Sequence, residues 1–107
     1  DGSAAVFFRV RPRGRLLEAT VADLLAGPEA GRSAAALLRR VGKEGAVDHI
    51  ACAFPAGSVG REAARRAFCL PSPRGVTLVA NALREDLPLD VTDLANWAPV
   101  LGDLEVF

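Results

Sequence analysis

The chain has 107 residues, half of them hydrophobic, and its 13 basic and 13 acidic side chains cancel to a net charge of zero. That length suits one small domain with its own core, and zero net charge argues against a dedicated nucleic-acid module, which carries a basic excess. No apolar run approaches the roughly 20 residues of a membrane helix and no signal peptide opens the chain, so a cytoplasmic, non-membrane location is expected.

Ala5–Arg11, with β-branched and aromatic residues in partial alternation, reads as a strand. Pro12-Arg13-Gly14 turns the chain into a longer strand over Arg15–Leu25, predicting an antiparallel hairpin. Gly27-Pro28 ends it. From Ser33 to Val41 the apolar residues Ala34, Leu37, Leu38 and Val41 repeat at i, i+3, i+4 and i+7, one face of a helix that starts near Gly31 or Ser33. Gly42 and Gly45 are expected to close it.

Val47–Phe54 reads as a buried, parallel third strand. Val59–Ala67 then reads as a second helix capped by Ser58. Phe68-Cys69-Leu70, flanked by Pro71 and Pro73, predicts a short edge strand, and Val76–Leu83 a further strand. Residues 85–107 hold six acidic residues and no basic one, an irregular tail packed on residues 1–84 with Trp97 as its anchor. The expected class is α/β: a mixed sheet of four to five strands with two helices, and one right-handed βαβ crossover.

The chemistry-bearing residues are few. The chain has no Met, no Tyr and one His, and Asp1-Gly2-Ser3 reads as a cut inside a longer protein. Twelve arginines against one lysine and abundant alanine read as a GC-rich bacterial coding sequence. Cys52 and Cys69 do not form a CxxC pair, so no metal site is expected; two small buried thiols are, with a bridge between them left open. His49 points away from Asp48 and Cys52 across the strand, which favours a half-buried structural histidine. Arg9, Arg11, Arg13 and Arg15 alternate around the first turn, either as a solvated hairpin end or as a contact for phosphate or an acidic partner. Arg61 and Arg65 form a like-charge pair on the second helix and Glu62 and Arg66 a favourable one.

In this order, the pieces LLEATVADLLA, GPEAGRSAAALLRR, VDHIACAF and REAARRAFCLPSPRGVTLVANAL resemble the C-terminal half of the GNAT superfamily of N-acetyltransferases, as does the ending NWAPVLGDLEVF. The family's signature is Arg or Gln, two residues, Gly, one residue, then Gly or Ala at a helix start. There, backbone N–H groups cradle the coenzyme A pyrophosphate. Aligned by Leu37 and Leu38 the chain offers Glu29, Arg32 and Ala34 at those places; aligned by its glycine it offers Pro28, Gly31 and Ser33. The bland alternative is a plain strand-to-helix connection. A second family motif, Asn and then Tyr seven residues later, falls on Gly57 and Ala64, so the general acid is missing; a thiol at Cys69 is weighed against simple packing.

The resemblance implies acetyl-coenzyme A as cofactor and an amine as acceptor. Backbone of Leu24, Leu25 and Ala26 would meet the pantetheine arm, and Gly31, Arg32, Ser33 and Ala34 the pyrophosphate, with Arg61 nearby. The acceptor side is lacking, so the piece alone is expected not to turn over, its partner being the rest of a longer chain or a second copy. A non-catalytic docking or dimerisation module is the alternative, and a basic-hairpin nucleic-acid binder the third reading.

Overall fold

A computed structural model describes residues 2–75, 79–80 and 82–104. Strand β1 (Ala4–Arg13) and strand β2 (Leu16–Ala26) form a long antiparallel hairpin. The turn is the two residues Gly14-Arg15, with Gly14 at φ +64°, the positive φ that tight hairpin turns require. Pro12 therefore lies in the strand, opposite Leu17, and not in the turn. A proline is tolerated there because β1 is the sheet's edge.

Helix α1 runs from Gly31 to Glu44, a turn longer than the apolar repeat. Gly42 lies inside it and Gly45 caps it. A Cβ on Gly42 would sit 3.2 Å from Cδ1 of Ile50, so the glycine lets β3 (His49–Ala51) pack close beneath the helix. β3 pairs parallel to β2 for only three residues, Glu18 with His49, Ala19 with Ile50 and Thr20 with Ala51, against the eight expected to be extended. Helix α2 (Val59–Arg66) follows, and the Ser58 side chain accepts the Arg61 N–H at its start as anticipated.

The described residues thus form an α/β structure with a three-stranded mixed sheet, order β1-β2-β3, and two α-helices. Val21 and Leu24 of β2 face Ala34, Ala35 and Leu38 of α1 and Ala63 and Ala64 of α2. Alanines dominate that interface, so the two helices approach each other closely over the sheet.

The two further strands are not found among the described residues. Phe68-Cys69-Leu70 is not a strand, because Phe68 has φ +66° and ends α2 in a left-handed turn. The proposed strand Val76–Leu83 has residues 76–78 and 81 outside the described set; its other residues are non-strand, with Val79 and Leu83 exposed. Beyond them, the chain forms two 3-10 turns, Leu94–Asn96 and Leu101–Leu104. The Trp97 indole N–H donates to the Val91 carbonyl (2.9 Å), so Trp97 closes the tail's own loop. The tail meets the sheet elsewhere: Gly102 lies against Ala22, where an added Cβ would stand 3.2 Å from the Ala22 carbonyl oxygen. No helix among the described residues is long and apolar enough to cross a membrane.

Candidate functional site

Two strands that pair and then part make a wedge. The pairing of β2 with β3 stops at Thr20 and Ala51, while β2 runs on to Ala26. Just past the parting, Phe7 pairs with Asp23 and Phe8 with Val21, so Ala22 is an extra, unpaired residue. Such a bulge bends its strand and sharpens its twist. The wedge opens at the carboxyl ends of the parallel pair, where open α/β sheets hold ligands, and α1 begins five residues after β2.

The residues expected to line it occupy different environments. Leu24 is buried in the core, and its N–H is taken by the carboxylate of Asp23 (2.7 Å). Leu25 is exposed, while Ala26 packs at the core's rim. At the helix start Gly31 is buried, Arg32 exposed and Ser33 half-buried. Ala34 is fully buried and its N–H is bonded to the Ala30 carbonyl (2.9 Å), so it serves packing rather than the surface. Ala64 is likewise a core residue, so the place assigned to the family's general acid is a packing position. Gly57 sits in the preceding loop at φ +76°.

No side chain caps α1, whose N-cap is Ala30 and whose first turn has no acidic residue. The negative charge that a helix start favours comes instead from α2. A Cβ on Gly31 would lie 3.4 Å from Cδ and Oε2 of Glu62, so this carboxylate rests against the α1 start. Arg66 holds it, with Nη2 at 2.6 Å and Nε at 2.8 Å from Oε1. The Glu62–Arg66 pair was legible as i, i+4 spacing; its meeting with α1 was not.

Beside it, Arg32, Ala35, Arg39, Arg66 and Phe68 line an open groove of about 400 Å³. Arg39 donates to the Arg66 carbonyl (2.9 Å) across the two helices. Phe68 closes α2: its N–H bonds to the Arg65 carbonyl and the Cys69 N–H to that of Ala64, the paired bonds of a Schellman ending. Glycine usually takes that left-handed position, and a phenylalanine there costs on the order of 1 kcal/mol. The strain holds an aromatic ring 85% exposed at the rim of three guanidinium groups. Arg61, expected near the ligand, is not among the groove's residues. A larger depression, about 540 Å³, lies apart from the helices, lined by residues between Ala82 and Thr92, with Arg84, Glu85 and Asp90 on its wall.

A second polar cluster lies on the sheet face away from the helices. The Glu18 carboxylate accepts from Thr20 Oγ1 (2.6 Å) and Arg13 Nε (3.2 Å), and meets His49 Nε2 at 2.9 Å. Arg11 donates to Thr20 Oγ1 (3.1 Å) and lies 3.5 Å from the carboxylate. Burial pushes the Glu18 pKa up, but the hydrogen bonds from Thr20, His49 and Arg13 outweigh it and bring it down from 4.5 to about 2. So Arg11 and Arg13 serve the domain's own carboxylate, and His49 pairs across strands with Glu18. Asp48, the neighbour in sequence, accepts the Leu17 N–H instead (2.7 Å).

Cys52 and Cys69 are free thiols, partly exposed rather than buried. No family model, curated protein or solved structure matches the chain.

Proposed function

We propose that the chain is the coenzyme A-binding part of an N-acyltransferase of the GNAT type, and that this part alone does not turn over an amine substrate. The observation that carries the reading is the wedge: β2 and β3 part after Thr20 and Ala51, β2 is bulged at Ala22, and α1 starts above the opening. A pantetheine arm would bond there to β2 backbone beyond Thr20, which has no β3 partner among the described residues. Arg32, Arg39 and Arg66 supply guanidinium donors suited to phosphate oxygens, and Phe68 a flat apolar ring for a purine base. When bound, the thioester supplies the activated acyl group; the chain's own residues hold and orient it. Glu62 opposes this, because its carboxylate already rests where the pyrophosphate would lie. Binding then requires Glu62 to turn aside, which releases Arg66 to the ligand.

Isothermal titration with acetyl-coenzyme A tests the reading. Binding is expected, weakened about tenfold by Arg32→Glu and strengthened by Glu62→Gln, each charge-assisted contact being worth roughly 1.5–3 kcal/mol. Absence of heat up to millimolar ligand would overturn it.

A docking or dimerisation module is the second reading. Phe7 and Leu25, 54% and 55% exposed, stand on pairs of the hairpin separated by one, with Leu16 also exposed farther along it. Exposed apolar surface of this kind marks partner contacts. Light scattering separates the two: a monomer that binds the cofactor excludes the docking reading as the sole role.

A further inference from the structure

We infer that a second copy of the chain pairs with the outer edge of β1, antiparallel and across a two-fold axis at Phe8, so that the two three-stranded sheets join into one. The inference rests on the docking reading and gives it a definite partner and register; it is independent of coenzyme A binding in the groove. β1 is ten residues long and forms the sheet's edge, and among the described elements only β2 and α1 touch it. Long edge strands are normally blunted by proline, lysine or a bulge. From Ala4 to Arg11 the strand has no proline or lysine, and the bulge at Ala22 lies in β2. Phe7, Phe8 and Val10 are exposed along it.

The pleat decides which peptide groups face outward. A two-residue turn closes on a hydrogen-bonded pair, here Arg13 with Leu16. Inward and outward groups alternate from there, so the peptide groups of Pro12, Val10, Phe8, Val6 and Ala4 point away from β2. Pro12 fits this alternation, because the hairpin ladder does not need the N–H it lacks. A two-fold axis normal to the sheet pairs these outward residues with one another. Centred on Phe8, Val6 meets Val10 of the second copy and Ala4 meets Pro12, which uses nearly the whole strand. On the other face Phe7 lies beside Arg9 of the second copy, an aromatic ring next to a guanidinium. Centring on Arg9 or Val10 sets arginine opposite arginine, which destabilises, and centring on Phe7 shortens the pairing to Ala4–Val10. The net charge of zero favours association of like copies. The exposed surface of 8014 Å² exceeds the roughly 5,700 Å² of a compact monomer of this mass by more than the roughly 800 Å² that each partner buries in a stable interface.

Sedimentation velocity of the full chain tests this, together with residue-resolved amide exchange by NMR. A concentration-dependent dimer is expected. Val10→Pro removes an outward N–H that the hairpin does not use, and should weaken the dimer at least about tenfold. In the wild-type dimer the amides of Ala4, Val6, Phe8 and Val10 should exchange at least about tenfold more slowly than in the monomer. A monomer up to millimolar concentration would overturn the proposal and the dimerisation reading with it. A dimer whose outward β1 amides exchange as in the monomer, or one that Val10→Pro leaves as tight, would overturn the proposal alone. Exchange is read on the wild-type chain at dilutions either side of the transition, so the test stands even if the proline variant does not fold.

Discussion

Glu18 joins all three strands through one carboxylate: its own on β2, Arg13 from β1 and His49 from β3. Its pKa is lower folded than free, about 2 against 4.5, so protonation favours the unfolded chain. The stability it contributes is complete above about pH 4.5 and is lost as pH falls towards 2. Acid titration followed by circular dichroism should show a destabilisation in that window. Glu18→Gln should flatten it while costing roughly 1–3 kcal/mol at neutral pH, the scale for a buried hydrogen bond to a charged group. Sequence spacing placed Ser58 and the Glu62–Arg66 pair correctly, because caps and i, i+4 pairs are local. Glu18 escaped it, since Arg13 and His49 reach it through register across strands, His49 from 31 residues away, which one-dimensional alternation does not supply.

Among the elements, α1 and the hairpin follow from periodicity and turn residues, while β3 is cut from eight extended residues to three. The apolar run Val47–Phe54 carries no signal for where a parallel partner departs; the pairing ends at Thr20 and Ala51, two residues before the bulge at Ala22 of the other strand. Phe68 misled for a related reason: an extended-looking triplet between a helix and a proline is in fact the left-handed end of α2. The same helix shows why Gly60 is needed. A Cβ there would stand 2.6 Å from the Phe54 ring, too close for either to stay in place. Gly60→Ala should therefore destabilise by about 1–3 kcal/mol in urea denaturation, despite the usual gain from replacing glycine in a helix.

At the scale of the whole molecule, the exposed surface is 8014 Å², whereas a compact monomer of 11.2 kDa exposes about 5,700 Å². The radius of gyration, 15.2 Å, likewise exceeds the roughly 13 Å expected for this length. Apolar side chains contribute to it: Phe7, Leu16 and Leu25 are open along the hairpin, and Leu89 and Leu94 in the tail. Composition did not reveal this, because half-hydrophobic sequences bury or expose their apolar residues according to what covers each face.

The alanine interface between α1 and α2 has a calorimetric consequence. Alanine gives up no rotamer freedom on burial, but it also removes little apolar area from water. The core of Ala34, Ala35, Ala63 and Ala64 around Val21 and Leu38 therefore spends little side-chain entropy and orders little water. The heat capacity of unfolding should fall clearly below the roughly 1.3–1.6 kcal/mol/K usual for a chain of this length. Scanning calorimetry would then trace a shallow stability curve, with cold and heat eroding the fold gradually on either side.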